Sequence, residues 1–281
     1  MSTNSVYQDK TYLRDQQYRD SQNLDARAAL HRNFSTGTVE WQAWVFDQLA
    51  MEPGTAVLEC GCGPGWLWRE NVERIPPDCR ITLTDLSPGM VAEAELALTE
   101  AKTSLSHLPD FHFQTASIEE LPFPDASFDV VVANHMLYHV SDLDTALAEV
   151  GRVLKPDGRF FAATNGQNHM HELKELARRF AGEAVMQKWP PLTFRLENGR
   201  DLLAPFFDEV TLTVFADGLA VTAVEPLMAY LRSMALTQTL QTDKLTSETA
   251  ALEQHIVGII AAQGAYHIQK ETGLFMARKR G

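Results

Sequence analysis

The stretch VLECGCGPGW, Val57 to Trp66, restricts what this chain can become more than any other. Gly61, Gly63 and Gly65 alternate directly after an apolar run that reads as a short strand. Glycine tolerates positive φ and lets other groups approach the backbone. A strand, then glycines, then a helix turns backbone N–H groups and a helix N-terminus toward a ligand. Gly61 suits the tight turn, and Gly63 and Gly65 bring the main chain within van der Waals reach of that ligand. The dinucleotide fingerprint G-x-G-x-x-G needs its third glycine at position 66, where this chain has Trp66. Instead, the acid Glu59 stands two residues before the first glycine.

The surrounding segments alternate. TAVLEC, RITLTDL, DFHFQTAS, SFDVVVAN and KPDGRFFAAT read as strands. Between them, GWLWRENVERI, SPGMVAEAELALTEAKTSL and SDLDTALAEVGRVL read as helices. Ser87 caps the second of these with Pro88 in its first turn, and Ser141 or Asp142 caps the third. Strands joined through helices pair in parallel by right-handed crossovers. Residues 54–166 therefore read as a doubly wound α/β core. Before it, residues 1–53 form a helical extension, in which Trp41, Trp44, Val45 and Leu49 share one helical face. After it, residues 167–281 add two late strands, FFDEVTLTVFAD and YHIQKETGLFMARK, with helices inserted between them. The expected whole is a mostly parallel, seven-stranded sheet with lid helices.

The 281 residues are 45% hydrophobic, enough for one large core. With 24 Lys and Arg against 37 Asp and Glu, the net charge is −13, which disfavours a nucleic-acid partner. The basic ARKRG at the end reads as a solvated tail. Cys60, Cys62 and Cys79 are odd in number and lack C-x-x-C spacing, so neither a disulfide framework nor a metal site is indicated. Reduced thiols, no apolar leader and no long apolar run point to a cytoplasmic protein without a membrane span.

Taken together, these motifs resemble the class I S-adenosylmethionine-dependent methyltransferases, in the small-molecule branch that includes ubiquinone and menaquinone methylation. VLECGCGPGW resembles that family's first motif, LTDLSPGM its second, and SIEELPFPDASFDVVVANHMLYHV its third and fourth; ALAEVGRVLKPDGRFF continues through strand five. The resemblance implies a cofactor, S-adenosyl-L-methionine, held at the first crossover. The loop Gly61, Cys62, Gly63 and Gly65 would take its methionyl end. Glu59 would order the loop and help hold the amino group. Asp85, twenty residues after Gly65, would accept hydrogen bonds from both ribose hydroxyls. Leu86 and Met90 would sandwich the adenine. Ser117 departs from the aspartate that many relatives use for the adenine amino group, and Ile118 offers its amide beside it. Asn134 would meet the methionyl amine.

Methyl transfer needs alignment, dryness and sometimes removal of a proton. His139 is the first choice for base or acceptor-orienting group, because imidazole titrates near neutral pH. Some relatives pair such a histidine with an N-terminal tyrosine; Tyr18 fits that role and Tyr12 is the reserve. His135, His169 and His171 are further candidates. Trp189, Phe194 and Arg195 lie in KWPPLTFRLENG, either lining an acceptor pocket or packing a loop or dimer contact. The reaction expected is transfer to oxygen, nitrogen or carbon of a small molecule. Two alternatives are a protein or nucleic-acid methyltransferase, against which NHML stands in place of an NPPY-type tetrad, and a non-catalytic binder of the same cofactor. A homodimer is left open.

Overall fold

The computed structural model describes residues 8–102, 109–181, 192–233 and 244–281. The chain begins with a helical turn, α1 (Lys10–Tyr12), continued by a π-helical turn over Leu13–Gln17. Next come α2 (Gln22–Phe34), α3 (Trp41–Leu49), β1 (Ala56–Cys60), α4 (Trp66–Arg69), β2 (Arg80–Asp85), α5 (Pro88–Lys102) and β3 (Asp110–Thr115). They are followed by β4 (Phe128–Asn134), α6 (Leu143–Val153), β5 (Leu154–Asn165), α7 (His171–Ala181) and α8 (Gly199–Leu203). The last elements are β6 (Phe207–Phe215), β7 (Gly218–Val221), α9 (Val224–Ser233), α10 (Lys244–Gln263), β8 (Tyr266–Gln269) and β9 (Thr272–Lys279).

The main sheet has seven strands in the order β3-β2-β1-β4-β5-β9-β6. The first five run parallel, and β9 enters antiparallel between β5 and β6. This is the architecture expected from the alternating segments. Thr82, Leu58, Val131, Phe160 and Ala277 face one another across five strands. Because side chains alternate, Leu58, Val131 and Phe160 enter one buried cluster, while Val57, Val130 and Phe161 enter the cluster on the other face. A central strand buried on both faces explains the unbroken apolar run in β4.

A third buried cluster lies outside the sheet. Leu30 of α2, Leu173 and Leu176 of α7, Leu227 and Leu231 of α9 and Ile256 of α10 pack together with Leu219 of β7 and Ile268 of β8. The N-terminal and C-terminal additions thus share one apolar core and form one cap.

Local departures from the sequence reading have visible causes. GWLWRENVERI does not make one helix: α4 ends after Arg69 and a 3-10 turn covers Val72–Arg74. The Asn71 amide donates to the Leu67 carbonyl at 2.8 Å and the Gln42 carbonyl at 3.1 Å, competing with helical bonding. YHIQKETGLFMARK is two strands rather than one. Between them, the Glu271 carbonyl accepts from Gly166 N–H at 2.8 Å and Lys270 pairs with Asp217. β8 is thereby turned out of the main sheet to pair with β7, a strand absent from the sequence reading. The caps follow expectation: Ser87 Oγ accepts from Met90 N–H at 3.3 Å and Asp142 accepts from Thr145 N–H at 3.1 Å.

Candidate active site

A cavity of about 430 Å³ opens at the carboxyl ends of β1, β2 and β4, under the cap. Glu59, Gly61, Cys62, Gly63, Asp85, Leu86, Met90, Ser117, Ile118, Asn134, His135, Tyr18 and His139 all line it. The crevice beyond the strand ends is where ligands sit in open α/β sheets.

The three glycines have different neighbours. All three adopt positive φ, +68° at Gly61, +53° at Gly63 and +73° at Gly65. At Gly63 an added Cβ would meet only Leu24, at 3.8 Å, so its open side faces the cavity. At Gly61 it would lie 2.8 Å from the Met136 side chain. At Gly65 it would lie 3.1 Å from Ala94 of α5, and Gly65 does not line the cavity. Gly65 therefore serves the packing of the loop against α5 instead of the ligand-facing surface expected of it.

Two carboxyls sit behind this loop, Asp85 half-buried and Glu59 buried. Asp85 Oδ2 accepts from Gly63 N–H at 3.0 Å and Oδ1 from Ser87 N–H at 2.8 Å. Burial raises the Asp85 pKa and these amides pull it back down. Glu59 is 2% exposed and accepts from Trp68 Nε1–H at 2.7 Å. Burial pushes Glu59 up to about 8, with the Trp68 bond opposing the shift. Trp68 was missed by the sequence reading, which took it only as part of the helical segment GWLWRENVERI. Its one polar atom, nine residues from an acid at a strand end, was the available signal.

Asn134 is braced from the N-terminal extension. Its Oδ1 accepts from Trp41 Nε1–H and its Nδ2 donates to Gln42 Oε1, each at 3.2 Å. Trp41 therefore does more than pack: its ring also lies 5.0 Å from His135. Ser117 Oγ accepts from Glu119 N–H at 3.3 Å, and buried Ile118 stands beside it on the cavity wall.

Also lining the cavity, the Tyr18 hydroxyl and His139 Nε2 are 2.9 Å apart. The N-terminal turn and the 3-10 turn Leu137–His139, distant in sequence, deliver this pair. Tyr12 bonds to Gln17 at 3.4 Å and does not line the cavity. His135 has φ +59°, and burial lowers it to about 4. His169 lines the cavity and is also held neutral by burial, whereas His171 stays outside it. Phe194 is fully buried in the core and Arg195 is absent from the cavity wall; Trp189 lies outside the described residues. The sequence reading did not single out Arg27, His31, Tyr230, Lys270 or Thr272, all of which line the cavity.

The donor set fits a cationic, ribose-bearing cofactor: an acid at the end of β2, a second acid below the loop, and a glycine whose missing Cβ leaves the cavity open. The methyltransferase domain family matches residues 58–162. The chain is 33% identical over 196 residues to the ubiquinone/menaquinone biosynthesis C-methyltransferase of Bordetella avium, covering 66% of this chain and 72% of that one. It is 30% identical over 178 residues to the malonyl-[acyl-carrier protein] O-methyltransferase of Serratia marcescens, over 62% of this chain and only 61% of that enzyme. Among solved structures, phosphoethanolamine N-methyltransferase 2 of Haemonchus contortus matches with TM-score 0.58 and 18% identity, over 98% of this chain and 60% of that one. The YcgJ protein of Bacillus matches with TM-score 0.57 and 17% identity, over 85% and 98%. The structural matches carry the fold; the sequence matches, with the glycine loop and the Asp85 carboxylate at its back, carry the family. The chain belongs to the class I S-adenosylmethionine-dependent methyltransferases.

Proposed function

We propose that this protein transfers a methyl group from S-adenosylmethionine to an oxygen, nitrogen or carbon nucleophile of a small molecule, using Tyr18 and His139 to orient and deprotonate it. The observation that carries this reading is the 2.9 Å contact between the Tyr18 hydroxyl and His139 Nε2 on the wall of the cofactor cavity. The relatives act, by their names, on carbon, on oxygen and on nitrogen, so the acceptor atom follows from the cap and not from the fold.

When bound, the cofactor supplies an electrophilic methyl on a sulfonium. Everything else falls to the chain. Gly63 and its neighbours hold the methionyl end, Asp85 the ribose diol, Leu86 and Met90 the adenine, with Ser117 and Ile118 at its edge. Asn134, held by Trp41 and Gln42, presents its remaining hydrogen-bonding capacity to the methionyl amine. The Tyr18 oxygen takes the proton of the acceptor while its own proton passes to His139 Nε2. The cap over residues 8–53 and the elements after β5 excludes water from the transfer.

The test is release of S-adenosylhomocysteine across a panel of small acceptors. With the acceptor so found, Tyr18→Phe and His139→Ala should each lower kcat by about 10²–10⁴-fold, the range of general acid–base catalysis. Cofactor affinity should change by less than about threefold, since neither residue is assigned to cofactor binding. Full turnover in both variants would remove the pair from the mechanism.

A further inference from the structure

The cavity has a second population of side chains that the transfer chemistry leaves unused. Arg27 and His31 lie one turn apart on the same face of α2. The Arg27 guanidinium is 5.8 Å from the centre of the Tyr18 ring, and the Tyr18 hydroxyl is a hydrogen-bond partner that favours its charge. The His31 ring is 6.4 Å from that of His169 and 6.1 Å from that of Tyr230. Lys270, in the link between β8 and β9, faces the same space, as does His135 after β4.

The cations here outnumber the carboxylates. Lys270, His135 and Arg27 all oppose protonation of His31, and Asp217 favours it. Asp217 is Lys270's ion-pair partner, but it is shared: Ser35 Oγ donates to it at 2.8 Å, Gly37 N–H at 2.9 Å and Gly218 N–H at 2.7 Å. The side chains of Arg27 and Lys270 thus stand against one saturated carboxylate, among three imidazoles that burial holds neutral. Moreover, Nδ1 of His31 and Nδ1 of His135 are buried without a hydrogen-bond partner. A buried polar atom without a partner is unfavourable, and a ligand atom placed there would supply the missing bond.

We propose that Arg27, His31, His135, His169 and Lys270 form an oxyanion subsite, so that the methyl acceptor is an anionic small molecule carrying a carboxylate or a phosphate. A cationic or purely apolar acceptor would meet repulsion or unfilled hydrogen-bonding groups. An oxyanion satisfies several donors at once, and charge-assisted bonds to guanidinium are among the stronger ones available. Because Arg27 touches Tyr18, the anionic group sits close to the atom that receives the methyl. The inference rests on the methyl-transfer reading, but its test separates from it.

The full chain, free and loaded with S-adenosylhomocysteine, is titrated calorimetrically with inorganic phosphate, acetate and chloride. S-adenosylhomocysteine binding alone tests the cofactor reading. Phosphate or acetate should bind at least about tenfold more tightly than chloride, and whichever wins identifies the ester or the carboxylate as the group. Arg27→Gln and His31→Gln should each weaken that oxyanion about tenfold or more while S-adenosylhomocysteine affinity stays within about threefold. Ring-proton resonances of His31 and His169 in the unaltered protein should move on addition of the same anion, a readout that needs no variant to fold. Equal binding of all three anions, or histidine resonances that do not move, would overturn the subsite.

Discussion

Asp85 concentrates the chemistry of the cofactor half into one side chain. It ties the end of β2 to the glycine loop through Gly63 N–H and to the cap of α5 through Ser87 N–H. Loss of charge-assisted bonds to a ligand costs about 1.5–3 kcal/mol, so Asp85→Ala should weaken S-adenosylhomocysteine binding roughly 10–100-fold by calorimetry. An unchanged dissociation constant would separate Asp85 from the ribose. Glu59 makes a different prediction. With its pKa raised to about 8, it is mostly protonated at pH 7 in the free chain. A cationic ligand favours its carboxylate, so affinity for S-adenosylmethionine should rise from pH 6 to about 8. Glu59→Gln should flatten that rise; a pH-independent affinity in the unaltered protein would remove Glu59 from the linkage.

Among the elements, the turn from β1 into α4 shows how the same residue type answers different demands at alternate positions. Gly63 leaves room for a ligand, Gly61 for Met136, and Gly65 for Ala94 of α5. At Gly65 the positive φ and the tight contact act together, because an L-residue there is strained even before it meets Ala94. Gly65→Ala should destabilise the protein by about 1–3 kcal/mol in urea melts. Its effect on cofactor affinity should be smaller than that of Gly63→Ala, which fills the cavity side. The reverse order would return Gly65 to the ligand surface. The α3 helix makes a parallel point. Its apolar stripe was read as packing, and Val45 and Leu49 do pack, while Trp41 and Gln42 at its start brace Asn134.

Across the whole molecule, the cap and the sheet meet around buried histidines. His31, His135 and His169 are all driven neutral by burial, to about 3, to about 4 and well below 6.5. In the unfolded chain they titrate near 6.5. Below that pH the unfolded state binds more protons than the native one, so stability is lost as pH falls toward about 4. The stability of the free protein in urea should therefore decline over pH 6.5 to 4, and His135→Gln should make that decline shallower. Constant stability over this interval would mean that the imidazoles are solvated. Glu59 acts in the opposite sense: its raised pKa takes stability away as pH climbs from about 4.5 to 8.

The succession of strands and helices, the glycine loop and the acid closing β2 were legible from residue order, because hydrophobic period and short motifs are local properties; the Tyr18–His139 pairing, across 121 residues, was expected only from the family resemblance. The same holds for Ser87 and Asp142, whose caps need only the next turn. The split of the last strand, the β7–β8 ribbon and the oxyanion pocket were not legible. Arg27, His31, His169 and Lys270 come from α2, from the turn after β5 and from the link between β8 and β9, with no shared spacing to mark them. Only the insertion of β9 between β5 and β6, and the packing of α2 against α9 in one cap, bring them to a single cavity. Local sequence chose which segments become strands and helices; which side chains share a buried space was decided by how those segments close on one another, since burial and charge act through space and not along the chain.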